Sequence, residues 1–202
     1  IKYGKMYTVD DQVKVRYRDA GHIVGAAIIE MFINDGGKEK KLVFSGDLGQ
    51  WNIPIVKDPT LISEADYVFI ESTYGDRIHK DKGKSKELLL KHISDTYKRG
   101  GKLLIPSFAI ERTQELLFAM HKLSKEGKMP KEKVFLDSPL AIRATKVFNK
   151  HHEVYDEEIK KELPEPFNFE GLKFTQKANE SMMLNNYREP AVIIAGSGMC
   201  TG

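Results

Sequence analysis

The hydrophobic texture of this chain changes once, near Asp76, and that change constrains the fold more than any single residue does. Before it, Val13, Val15 and Tyr17 interleave with Lys14, Arg16 and Arg18, the two-residue period of a strand. Ala26 to Ile33 makes a second apolar run, Asn34-Asp-Gly-Gly a turn, and Lys41 to Phe44 a hairpin partner, so this half reads as antiparallel β. A gap bearing Pro and Asp, from Asn52 to Ser63, leads to Ala65-Asp-Tyr-Val-Phe-Ile-Glu, expected as a buried strand with Glu71 at its carboxyl end. Beyond the hydrophilic stretch from Lys80 to Lys86 the pattern becomes one of alternating helices and strands. Helices are expected from Ser85 to Lys98, Glu111 to Leu123, Pro139 to Phe148 and Glu180 to Asn185, with a charged helical segment from Glu153 to Leu163. Strands are expected from Lys102 to Ile105, Lys133 to Leu136, Leu172 to Thr175 and Ala191 to Ala195. Such alternation argues a mainly parallel sheet flanked by helices. The class is α/β, and two domains are expected, residues 1–76 and 77–202.

Composition excludes more than it selects. With 202 residues, 41% hydrophobic and 30% charged, the chain reads as an ordinary globular protein. No apolar run approaches the ~20 residues that span a bilayer, and Ile1-Lys-Tyr-Gly-Lys-Met has no apolar secretion stretch, so no membrane partner and a cytoplasmic home are expected. The lone Cys200 can build neither an internal disulfide nor a cysteine zinc cluster. A net charge of +3, from 32 basic and 29 acidic residues, leans only slightly toward polyanions. The lysine runs from Lys80 to Lys86 and Lys122 to Lys133 read as solvated faces, with no regular aromatic interleaving.

Three segments, Ala20-Gly-His-Ile-Val-Gly-Ala, Phe44-Ser-Gly-Asp-Leu-Gly and Ile70-Glu-Ser-Thr-Tyr-Gly-Asp, each set one chemically capable side chain where an apolar run meets a glycine-bearing turn. An imidazole (His22) and two carboxylates (Asp47, Glu71) make part of a hard-to-borderline metal site such as zinc, which needs about three protein ligands and a water. Each has a bland alternative: a turn histidine, a local Asx-type turn, and a structural ion pair of Glu71 with Arg77. Ser107-Phe-Ala-Ile-Glu-Arg-Thr-Gln-Glu follows a strand and opens a helix, where backbone N–H groups and Arg112 favour phosphate, or where the residues simply cap. In Asp137-Ser-Pro-Leu-Ala, Ser138 is a good N-cap and Pro139 a good first helical residue. The closing Gly196-Ser-Gly-Met-Cys-Thr-Gly is one residue too long for a dinucleotide fingerprint, although its glycines permit an anion-holding nest.

Taken together and in this order, these motifs strongly resemble the β-CASP branch of metallo-β-lactamase-fold RNA-processing nucleases. The resemblance implies a partial metallo-β-lactamase-fold sheet followed by a β-CASP α/β domain that clamps RNA. It implies His22 and Asp47 as metal ligands, with Asp47 bridging two zinc ions, and Asp47 and Glu71 as catalytic residues, Glu71 orienting a catalytic histidine. Ser107, Arg112, Ser197 and Gly198 become RNA or phosphate contacts. The implied partner is RNA, with a homodimer as a further expectation for the full-length protein. The family's His-x-His-x-Asp-His cluster would precede Ile1 and two further histidines would follow Gly202, so this stretch alone is expected to bind zinc weakly and to be inert. Glu111 stands where the family usually carries Gly. Three other readings remain: an RNA-binding relative without catalysis, a metallo-hydrolase of a small ester or thioester, and a nucleotide-binding domain built on the last loop.

Overall fold

A computed structural model describes residues 1–78, 82–130 and 133–196. The chain forms two compact units: Ile1–Ile78 with Glu153–Glu158, and His79–His152 with Ile159–Gly202. In the first, β1 (Met6–Thr8), β2 (Val13–Asp19), β3 (Ala27–Asp35) and β4 (Lys38–Phe44) run as an antiparallel meander, and β5 (Tyr67–Phe69) adds parallel to β4. The hairpin between β3 and β4 closes over Gly36 and Gly37 at φ +58° and +90°, the left-handed pair that a two-residue turn with matching twist requires. Gly37 N–H donates to Asn34 Oδ1 at 3.0 Å, so the turn residues Asn34-Asp-Gly-Gly supply both the conformation and its bond. Ala20, Ile28 and Val43 make the buried cluster of this unit, with Ala26, Leu48 and Ile62 packed against it.

The second unit is a four-stranded parallel sheet in the order β6 (Lys102–Ser107), β9 (Ala191–Gly196), β7 (Lys133–Asp137), β8 (Leu172–Phe174). Its helices are α1 (Ser85–Lys98), α2 (Arg112–Lys125), α3 (Pro139–Phe148) and α5 (Ala178–Met183). The α/β class and the parallel sheet flanked by helices are therefore as the sequence pattern implies. The inner strand β9 is buried from Ala191 to Ile194, which is why it reads as a continuous apolar run rather than an alternating one. Helix α2 buries Thr113, Gln114, Leu117, Phe118, Met120 and Leu123 on one face, and its lysines lie in the last turn, where cations suit the helix dipole.

Two expectations are corrected. The segment from Ala65 to Glu71 is not a buried strand: only Tyr67–Phe69 pairs, and Tyr67, Val68, Phe69 and Ile70 are all more than half exposed. Among the described residues it pairs with β4 alone and forms the sheet edge, so its apolar composition is not matched by burial. The charged segment from Glu153 to Leu163 is not one helix. Val56 bridges to Tyr155, and Asp156 N–H donates to the Ile55 carbonyl at 2.8 Å, which takes these residues out of helical backbone. A four-residue helix, α4 (Glu157–Lys160), starts only afterwards, with Glu158 N–H bonded to Asp156 Oδ1 at 2.9 Å.

Candidate functional site

His22, Asp47 and Glu71 all lie in the first unit, on loops that leave β2, β4 and β5. Backbone contacts tie these loops together. Gly49 N–H donates to the Ala20 carbonyl at 2.8 Å, and a Cβ on Gly49 would run into the Gly21 carbonyl and stand 2.6 Å from His22 N, so only glycine lets the two loops meet. Gly21 itself takes φ +65°, and a Cβ there would come within 2.8 Å of the Pro59 ring. Leu48 N–H donates to Glu71 Oε1 at 2.6 Å, which joins the third loop. Asp47 is exposed, and His22 and Glu71 are half-buried.

Glu71 does not pair with Arg77, which bonds to Asp76 at 2.9 Å instead. The Thr73 hydroxyl, the Leu48 N–H and the nearby His22 hold the Glu71 carboxyl below its ordinary range, against the opposing effect of desolvation. Sequence reasoning missed Ser45: its backbone N–H donates to the Phe69 carbonyl at 2.9 Å and its hydroxyl accepts from Glu71 N–H at 3.1 Å. The only signal available was its place just before Gly46-Asp47. His22 and Asp47 are donors whose chemistry suits zinc. Among the described residues no group of three or more His, Cys, Asp or Glu side chains is placed to hold a metal. By themselves His22 and Asp47 make no complete ligand set.

In the second unit the carboxyl ends of the parallel strands form a row: Ser107 is in register with Gly196, and Asp137 with Ala195. β9 lies between β6 and β7, and the helices that follow those two strands pack together, with Gln114 Nε2 of α2 donating to Thr145 Oγ1 of α3 at 2.9 Å. Ser107 is only 3% exposed, and its hydroxyl lies 3.2 Å from Thr113 Oγ1, which itself donates to the Phe108 carbonyl at 2.6 Å. What this loop presents outward is Phe108, Ile110 and Arg112; the Arg112 guanidinium pairs with Glu115 one turn along α2. Glu111, at the N-cap of α2, makes no side-chain cap bond; the Ile110 and Phe108 carbonyls instead accept from the Arg112 and Thr113 N–H groups at 2.9 and 3.2 Å. Ser138 does cap α3, accepting from Ala141 N–H at 3.2 Å with Pro139 following, and it packs so close to Gly196 that a Cβ there would collide with its hydroxyl. Asp137 accepts from the Thr175 and Ser181 hydroxyls at 2.5 and 2.8 Å, tying the end of β7 to β8 and α5. Ser197 and Gly198 lie outside the described residues.

Comparison with known proteins adds family and extent. Residues 113–202 match the Beta-Casp domain. The chain is 33% identical to "Ribonuclease TTHA0252" of Thermus thermophilus, over all of this chain and 46% of that protein. It is 34% identical to "RNase J-like protein" of Methanocaldococcus jannaschii, over all of this chain and 47% of that one. It is 30% identical to "Transcription termination factor FttA" of the same organism, over 32% of its length. The chain thus spans less than half the length of these curated relatives. An in-order set of motifs, an α/β fold ending in a parallel sheet and these matches make the chain a member of the β-CASP branch of the metallo-β-lactamase fold.

Proposed function

We propose that this chain is part of a metal-dependent ribonuclease, supplying two of its metal ligands and an RNA-holding surface. The observation that carries the reading is the joining of the His22, Asp47 and Glu71 loops by short backbone contacts. Relatives named ribonuclease and RNase J-like support RNA as the substrate. His22 and Asp47 would hold zinc together with donors from elsewhere in the protein. The chemistry such ions supply, in a two-metal arrangement, is charge stabilisation of phosphodiester hydrolysis. Glu71 would keep the neighbouring loops in place and, as the family resemblance implies, orient a histidine that handles the leaving oxygen's proton. The exposed Arg112 guanidinium would hold an RNA phosphate, beside the exposed ring of Phe108, which offers a face to a base. The test is Asp47→Ala in the complete protein. It should abolish RNA cleavage and lower bound zinc, both measured on the same preparation. Undiminished turnover with a full complement of zinc would refute the role of Asp47, and zinc-free wild-type protein that binds RNA without cutting it would replace the reading with a binding one.

A further inference from the structure

Asp47 owes its placement to the two peptide groups that flank it, and side chains outside the ligand pair hold both. On its amino side, the Ser45 hydroxyl donates to the Gly46 carbonyl at 2.6 Å. On its carboxyl side, Leu48 N–H donates to Glu71 Oε1 at 2.6 Å. A peptide group is a rigid plane, so a bond to its carbonyl or its N–H fixes the whole plane, and two fixed planes set the φ and ψ of the residue between them. The two clamps brace each other, because Glu71 N–H donates to Ser45 Oγ at 3.1 Å while Ser45 N–H is bonded to the Phe69 carbonyl at 2.9 Å. Ser45 is 5% exposed, so water competes poorly for its hydroxyl. Leu48, next along, is anchored in the apolar cluster around Ile28 and Val43. Asp47 is thus an exposed carboxylate on a backbone with little left to search except its own rotamer.

We propose that Ser45 is a positioning residue for Asp47, acting through its hydroxyl as both donor to Gly46 and acceptor from Glu71. The inference rests on the reading of Asp47 as a metal donor, and it assigns the serine of Phe-Ser-Gly-Asp a task distinct from ligation. Partners that orient a metal ligand typically govern affinity by roughly 10–100-fold, so Ser45→Ala should weaken zinc binding by about tenfold. Ser45→Thr, which keeps the hydroxyl, should restore it.

The experiment is zinc affinity of the complete protein, by competition with a chromogenic chelator, alongside hydrogen exchange of the Leu48 amide in the metal-free protein. Weaker zinc binding and faster Leu48 exchange in Ser45→Ala, both rescued by Ser45→Thr at an unchanged melting temperature, uphold the proposal. Wild-type affinity in Ser45→Ala overturns it, as does a loss that Ser45→Thr does not rescue, since the effect is then one of packing. If the wild-type protein takes up no zinc, the ribonuclease reading falls by itself. Leu48 exchange then decides the positioning role: faster in Ser45→Ala supports it, equal to wild type overturns it.

Discussion

Glu111 holds a backbone conformation that glycine adopts freely and glutamate does not. At φ +65° and ψ −64°, with Arg112 N–H bonded to the Ile110 carbonyl at 2.9 Å, it is the centre of a γ-turn of the strained kind. Replacing Glu111 by Gly should therefore stabilise the protein by about 1 kcal/mol, the relief of strain exceeding glycine's extra unfolded-state entropy. Urea unfolding measures it, and a loss of stability would mean that the contacts of the Glu111 side chain outweigh the strain. At this scale the sequence is legible only where the physics is local. The Ser138 cap and Pro139 were readable because donor and acceptor lie three residues apart. The partner of Glu71 was not: Leu48 N–H is 23 residues away, and Arg77, the partner that nearness in sequence offers, bonds to Asp76 instead.

Elements show the same divide. Strand alternation from Val13 to Tyr17 and the Asn34-Asp-Gly-Gly turn fixed the meander, but the run from Ala26 to Ile33 hides an acid at its centre. Glu30 on β3 is 1% exposed and accepts Arg16 at 2.6 Å and Arg18 at 2.8 Å from β2, and Lys41 at 2.7 Å from β4. Burial alone would push its carboxyl up; the bonds from Arg16, Lys41 and Arg18 overcome that and bring it down to about 2. Because the folded value lies below the ordinary 4.5, the contribution to stability is complete above that pH and is lost as pH falls from 4.5 toward 2. Glu30→Gln should cost about 3 kcal/mol near neutrality, since three cations then converge on an uncharged group. It should also flatten the acid limb of the stability profile; an unchanged limb in chemical denaturation from pH 6 to 2.5 would refute this account. Arg16 and Arg18 are part of why β2 reads as alternating, yet nothing in the alternation names the partner they share with Lys41.

For the molecule as a whole, the sheet edge and the chain path matter most. Tyr67 to Ile70 is an exposed apolar strip beside an open strand, the kind of edge that pairs with other chains. Val68→Lys should reduce self-association of this 202-residue chain without lowering its melting temperature, because Val68 is 59% exposed and gives up little packing. Light scattering at matched concentration checks it, and unchanged association would place the sticky surface elsewhere. The path of the chain adds what no local pattern carries: Glu153–Glu158 returns to the first unit, where Tyr155 bridges to Val56. The sequence by itself determined most element types, though not that of Glu153 to Leu163, together with the α/β class, the parallel second sheet and the glycine turns, because periodicity, capping and φ > 0 are properties of a few consecutive residues. Only the tertiary structure decided that Glu71 and Ser45 clamp the two sides of Asp47, that Gly49 must be bare where it meets Gly21, and that Glu30 gathers three cations. Those are contacts between residues far apart in the chain, and their energies depend on distance and burial that the order of residues does not encode.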